Sequence, residues 1–278
     1  MTTDDPASDS DGSQDTGAQT ARATSFGAVA TAYDAGRPTF PADAVVWVLG
    51  AGRGLQVLDL GAGTGKLGAV AAELGHDVIA VDPSPEMLEV CRRRSRIDTM
   101  VGAAESIPLA HASVDAVIVG QAFHWFDHAR ALPEIARVLR PNGILGLLWN
   151  NADTVVPWVR RTFQVIQGDG VGGSDRFDPE PLVEQSNLFT MLEFARFRHW
   201  HDLDRNTLKQ LAMSHSRVAT LKESRRETVL EQVDLIYEHT ARPPEPLRMP
   251  YFTDCYRAHP SELANYRRTL DAPVAPHL

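Results

Sequence analysis

The stretch VLDLGAGTGKLG, residues 57–68, decides how this chain is read. An apolar run, LQVLDL (55–60), has the look of a buried strand, and four glycines then fall within residues 61–68. The segment KLGAVAAEL (66–74) follows with helical spacing and closes at Gly75, a residue suited to a helix C-terminus. A strand, a glycine turn and a helix in this order hold a ligand against the backbone, and two phosphate-binding templates can be tested at once. In the triphosphate-binding loop the first glycine falls on Leu60 and the Ser/Thr after the lysine falls on Leu67, so that template fails at both ends. The dinucleotide fingerprint fits Gly63-Thr64-Gly65-Lys66-Leu67-Gly68 literally, with Asp82 about 20 residues further on. It begins three residues late, however, and Asp59 at the mouth of the turn would repel a pyrophosphate while attracting an ammonium.

Outward from this unit the alternation continues. DVIAVD (77–82) reads as a second strand; Ser84 then caps a helix with Pro85 at its first position and Met87, Leu88 and Cys91 on its apolar side. TMVGAAE (99–105) and VDAVIVGQ (114–121) read as two more strands, and Leu132, Ile135, Ala136 and Leu139 mark a helix ended by the turn Pro141-Asn142-Gly143. ILGLLW (144–149) is a uniformly apolar fifth strand. Strands apolar on both faces and interleaved with helices predict a parallel sheet with helices on both sides, an α/β doubly wound fold. Before this core, Phe26, Val29, Ala30 and Tyr33 share a helical face, and a short helix follows Pro41 through Val45, Val46 and Leu49. After it, the spacing predicts a helix over Trp158–Gln167, a loop over GDGVGGSDRFDPEP (168–181) and a strand over LEFARFRHW (192–200). Helices near 205–213 and 223–239, a rigid turn at PPEP (243–246) and a last strand over MPYFTDCYRA (249–258) complete a sheet of about seven strands.

Composition narrows the class. Of 278 residues 43% are apolar, ample for a core, and no apolar run approaches the roughly 20 residues of a membrane-spanning helix. The N-terminus lacks a secretory design, and two cysteines, Cys91 and Cys255, make no disulfide framework, so a cytoplasmic setting is expected. Five of the nine excess negative charges are aspartates within residues 1–20, which hold no Lys or Arg; residues 1–24 are expected to be a disordered acidic tail. The rest of the chain is mildly acidic and lacks a basic patch, which argues against nucleic acid as a partner.

Taken together, VLDLGAGTGKL (57–67), VDPSPEML (81–88), GAAESIPL (102–109), VDAVIVGQAFHWFD (114–127) and RVLRPNGILGLLWN (137–150) resemble the class I, Rossmann-like S-adenosylmethionine-dependent methyltransferases, over roughly residues 25–150. That cofactor is cationic at the end expected near Asp59 and carries a ribose diol for Asp82. FGAVATAYDAGRPTFP (26–41) and FHWFD (123–127) further resemble the small-molecule, trans-aconitate-type subgroup. The resemblance implies one methyltransferase domain over 25–278, with a cofactor-binding core (25–150) and a substrate-covering region (151–278) that inserts helices among the last strands.

The resemblance also implies roles. The turn Gly61, Ala62, Gly63, Gly65 would carry the methionine and ribose parts of S-adenosylmethionine, with Asp59 near its amino group and Asp82, followed by Pro83, accepting from the ribose hydroxyls. Met87 would lie against the adenine. The family commonly places an acid where Ala103 stands, so here the Ala104 backbone or Glu105 must meet the adenine amino group. Tyr33 and Arg37 would close over the cofactor carboxylate or the substrate, and Gln121 would touch the cofactor. His124 and Trp125 are the catalytic candidates: methyl transfer needs positioning and water exclusion more than proton chemistry, and His124 could serve as base for a hydroxyl or amine acceptor. A carboxylate acceptor would need no base.

Other constellations carry less. HWFDH (124–128) lacks the glutamate of a zinc-protease helix, and His199 and His201 share a strand face without a third ligand in view, so no metal is expected. The run RRRSR (92–96) suits a solvated helix end. Two alternatives to methyl transfer stand: a nicotinamide-dependent oxidoreductase, disfavoured by Asp59 and by the lack of any Tyr-x-x-x-Lys pair, and a non-catalytic protein that binds S-adenosylmethionine.

Overall fold

The structure is a computed structural model that describes residues 34–95, 97–168, 177–242, 244–262 and 264. The acidic tail, the helical spacing of Phe26–Tyr33 and most of the loop after Gly168 lie outside these residues. Helix α1 (Ala42–Leu49) leads into β1 (Gln56–Leu60), α2 (Lys66–Glu73), β2 (Asp77–Asp82), α3 (Pro85–Arg94), β3 (Asp98–Val101) and β4 (Val114–Gly120). A single 3₁₀ turn (Phe123–Trp125) precedes α4 (His128–Val138) and β5 (Leu139–Ala152). Then come α5 (Pro157–Gln167), α6 (Glu180–Ser186), β6 (Glu193–Leu203), α7 (Arg205–Met213), α8 (Ser216–Ala219), α9 (Glu223–Thr240) and β7 (Leu247–Ala258).

The strands form one seven-stranded sheet in the order β3-β2-β1-β4-β5-β7-β6. β1 to β5 are parallel, while β7 runs antiparallel between β5 and β6. The pleat sorts side chains to two cores. Leu58, Leu60, Val117, Val119, Leu145 and Leu147 face α4 and α6, whereas Val57, Ala116, Ile118 and Leu148 face α1, α2 and α3. A third core ties α5 and α7–α9 to the ends of β6 and β7 through Val159, Ile166, Leu208, Leu211, Val218, Val233 and Met249. The predicted mostly parallel, seven-stranded α/β sheet with helices inserted among its last strands is the one observed. No described helix is long and apolar enough to cross a membrane.

Three expectations need correction. Pro141-Asn142-Gly143 does not end α4, which stops at Val138; the triplet sits in β5, where the pairing jumps from Val114↔Leu139 to Ala116↔Ile144. Asn142 takes φ +64°, so the turn-forming residues make a bulge and the ladder resumes beyond them. β5 is therefore fourteen residues long and reaches Ala152. β3 is shorter than TMVGAAE: it ends at Val101, and Gly102 turns beneath Pro108 so closely that a Cβ there would lie 2.7 Å from the proline ring. Finally, α6 begins at Glu180, inside the segment expected to be loop.

Candidate functional site

The switch in strand order between β1 and β4 opens a crevice at the carboxyl ends of the strands, where open α/β sheets take ligands. A cleft there is lined by Asp59, Ala62, Thr64, Lys66, Leu67, Gly120, Gln121 and Asn150, and on its outer side by Arg37, Pro38 and Phe40. Of the residues singled out from sequence, Arg37, Asp59, Ala62 and Gln121 meet in this lining. Tyr33 lies outside the described residues.

Asp59 is almost fully buried. Its Oδ2 accepts from Gly68 N at 2.8 Å, which Gly68 permits because a Cβ there would stand 2.8 Å from the same oxygen. Its Oδ1 is buried without a partner. Burial pushes this carboxyl up to about 7, with the Gly68 N–H opposing and the charge of Asp82 adding to the rise. An unpartnered carboxylate oxygen at this depth calls for a donor, and an ammonium satisfies it in both charge and hydrogen bonding. Lys66, at the first turn of α2, lies 4.0 Å from Asp34 and is pulled down to about 8 by burial. Arg37 donates from Nε to Ser214 Oγ at 2.9 Å. The cleft thus offers one carboxylate and two cations a short way apart, the complement of a free α-amino acid end.

Beside the cleft, the turn and β2 are locked together. Asp82 Oδ2 accepts from Gly63 N and Oδ1 from Ser84 N, each at 2.8 Å. Each oxygen keeps lone-pair capacity for a hydroxyl, so the pair is preset to receive a diol. Burial raises this carboxyl, opposed by the two N–H groups. Gly63 takes φ +56° and a Cβ on it would meet nothing within 4 Å, so the backbone borders open space. Gly65, at φ +75°, serves packing instead: a Cβ would lie 2.3 Å from Cys91 Sγ.

Further along the same edge Pro83 is exposed and Met87 is buried under the Ser84 cap, whose Oγ accepts from Met87 N. Ala104 is buried, and Glu105 spends Oε1 on Asp127 N at 2.8 Å. The 102–109 segment is held by α4: Glu134 accepts from Ile107 N, and Arg137 donates to the carbonyls of Ile107 and Leu109. Gln121, at φ +62°, donates from Nε2 to Asn150 O. His124 and Trp125 do not line the cleft. They sit in an aromatic group with Phe177, His124 lying 4.7 Å from Trp125 and 5.8 Å from Phe177 between ring centroids. That packing, and the neighbouring His128, hold the His124 imidazole below its usual range.

The lining residues Pro38, Phe40, Thr64, Lys66 and Asn150 were not singled out from sequence. Lys66 stands in the glycine motif, where its only sequence signal is that of the triphosphate-loop template that fails at Leu60 and Leu67. Asn150 ends the last motif and carries no signal beyond its place at a strand's carboxyl end. In the run RRRSR, Arg92 and Arg93 are exposed as expected, Arg94 pairs with Asp34, and residue 96 lies outside the described residues.

The geometry agrees with comparisons to known proteins. Residues 58–147 match the family model described as "Methyltransferase domain". A Mycobacterium tuberculosis protein named as an uncharacterized methyltransferase is 44% identical over 238 residues, covering 84% of this chain and 95% of that protein. A Schizosaccharomyces pombe protein of the same description is 34% identical over 215 residues, 76% of this chain and 86% of that one. A crystal structure described as a methyltransferase of Anabaena variabilis, 24% identical, superposes with a TM-score of 0.57 over 77% of this chain and 95% of that one, a likeness of fold. The chain belongs to the class I S-adenosylmethionine-dependent methyltransferase family.

Proposed function

We propose that this enzyme binds S-adenosylmethionine across the carboxyl ends of β1, β2 and β4 and transfers its methyl group to a small carboxylic acid. The observation that carries the cofactor reading is the buried, unpartnered Oδ1 of Asp59 in a cleft that also holds Lys66 and Arg37. Asp59 takes the ammonium, Arg37 and Lys66 the carboxylate, and Asp82 the ribose hydroxyls, while Gly61, Ala62, Gly63 and Gly65 keep the backbone clear. Pro83, Met87, Ala104 and Glu105 border the adenine, Glu105 through the oxygen that Asp127 leaves unused. Gln121 contacts the cofactor from the end of β4.

When bound, the cofactor supplies an electrophilic methyl on a sulfonium. The chain's part is to orient the acceptor in line with that methyl and to exclude water. A carboxylate acceptor is supported by the trans-aconitate-type likeness of FHWFD and residues 26–41; it needs no base. For a hydroxyl or amine acceptor bound beside the cleft lining, His124, whose pKa burial and His128 lower, would take the proton at its ring nitrogen, with Trp125 packing the acceptor.

Calorimetric titration with S-adenosylmethionine, S-adenosylhomocysteine and NADH tests the cofactor. The expected result is binding of the first two, lost in Asp82→Ala; binding of NADH in their place would overturn the reading. Release of S-adenosylhomocysteine across a panel of small carboxylic acids, hydroxy acids and amines then tests the acceptor, and turnover of hydroxy or amine compounds alone would refute the carboxylate.

A further inference from the structure

After a helical turn at residues 34–36, residues 37–41 run as a strap along the cleft, to which they contribute Arg37, Pro38 and Phe40. The groups that hold this strap come from the carboxyl end of β5 and from the edge strand β6. His201 Nε2 lies 3.0 Å from Gly36 O, and Asn150 Nδ2 donates to Thr39 O at 3.1 Å. A carbonyl only accepts, so His201 carries its proton on Nε2 and Asn150 turns its NH₂ toward the strap. Asn150 is fixed in that orientation from behind, because its Oδ1 accepts from Thr253 Oγ1 at 2.6 Å. That bond uses the single hydroxyl proton, so His199 Nδ1, 3.3 Å from the same oxygen, is the donor of its pair. The Tyr251 ring packs against both imidazoles, at 5.7 Å from His199 and 6.3 Å from His201. Burial keeps both histidines on the neutral side of their usual range.

The two anchored carbonyls bracket the pair Arg37-Pro38. Proline fixes its own φ and constrains the residue before it, so a span pinned at both ends and stiffened in the middle has few conformations left. The strap cannot retreat either, for Gly36 abuts α7 so tightly that a Cβ would stand 2.2 Å from Leu211 N. We infer that His201 and Asn150, with Thr253 and His199 acting through Asn150, are positioning residues that hold Arg37 over the amino-acid end of the cofactor. The inference rests on the cofactor reading above.

The test compares two probes by calorimetry: S-adenosylhomocysteine, and 5′-methylthioadenosine, which shares the adenosine and thioether but has no amino-acid end. Arg37→Gln, the reference, is expected to cost roughly tenfold or more in affinity for S-adenosylhomocysteine, as for loss of a charge-assisted bond. His201→Ala and Thr253→Val are expected to cost roughly three- to tenfold for that ligand, the scale of a lost positioning hydrogen bond, and to leave 5′-methylthioadenosine within about twofold. His201→Gln and Thr253→Ser, which keep a donor in reach, should recover most of the loss. Equal losses for both probes would mean that these residues only stabilise the fold, and unchanged ratios would mean that they do not place Arg37; either result overturns the inference. Failure of the parent protein to bind either probe would instead bring down the cofactor reading, and this inference with it.

Discussion

Replacing Asp59 with asparagine should make the ligand-free protein more stable at alkaline pH while removing its grip on the cofactor. The carboxyl accepts one backbone N–H and leaves Oδ1 without a partner, and burial pushes it up to about 7 from the 3.8 of an ordinary aspartate. A raised pKa means the folded state binds the proton more tightly than the unfolded state. The penalty is therefore absent below about 3.8, grows as pH rises toward 7, and is complete above that. At about 1.4 kcal/mol per pKa unit, ionised Asp59 costs the fold on the order of 4 kcal/mol at pH 8 and on the order of 1.5 kcal/mol at pH 5. Asparagine keeps the acceptor for Gly68 but buries an amide NH₂ where Oδ1 was, at a cost of about 1–3 kcal/mol that does not depend on pH.

The diagnostic quantity is thus the change in the difference between the two proteins. From pH 5 to pH 8, Asp59→Asn should gain about 2–3 kcal/mol relative to the parent protein, the part of the ionisation penalty that develops in that window. Urea unfolding at both pH values measures it, and the m-values should agree between proteins. Saturating S-adenosylhomocysteine at 100 times its Kd should restore about 2.7 kcal/mol to the parent protein at pH 8 and little to the variant. A stability difference that stays constant from pH 5 to pH 8 would refute the reasoning, because Asp59 would then be ionised throughout as an ordinary structural acceptor.

Three further outcomes follow from the same geometry. Affinity for S-adenosylhomocysteine should rise with pH as Asp59 ionises near 7 and fall again as Lys66, at about 8, loses its proton; titrations from pH 6 to 9.5 should give a bell, and Lys66→Met should flatten its alkaline side. Asp82→Ala removes the acceptor for two backbone N–H groups and for the expected diol, so affinity should drop roughly 100-fold, about 3 kcal/mol, with a smaller loss in Asp82→Asn. Gly65→Ala meets Cys91 Sγ at 2.3 Å and a backbone at φ +75°, and should destabilise by about 2–4 kcal/mol; adding Cys91→Ala should return the steric part and leave about 1 kcal/mol of backbone cost, read by urea unfolding.

The parts of this fold that sequence reveals are those whose causes are local. The first five strands each sit beside a helix with its own cap or glycine, and Ser84-Pro85 announces α3 as plainly as the structure builds it, with Ser84 Oγ on Met87 N. Asp59 and Asp82 are legible because their chemistry is odd for their places: a carboxylate entering a glycine turn, and another ending a strand 23 residues later. Composition misleads where a tertiary ladder overrides it. Pro141-Asn142-Gly143 has every local mark of a turn, yet β4 on one side supplies enough pairing to carry β5 through it as a bulge.

What stays hidden is contact between parts of the chain that share no local signal. Arg37 meets Ser214 across 177 positions, Gly36 meets His201 across 165, and Thr39 meets Asn150 across 111. Arg37 stands out in the sequence, but its neighbours do not announce these contacts: His199 and His201 read as two histidines on one strand face, and a serine after a helix reads as a cap. Their meaning comes from β7, which reverses direction between β5 and β6 and so carries Thr253 to Asn150 on one side and pairs Tyr251 with His199 on the other. The same reversal places the late, weakly patterned third of the chain against the strap over the cleft. The proposed cofactor contacts thus lie in the first half of the sequence, while the hold inferred for Arg37 draws on residues of the second half that only the assembled sheet brings to it.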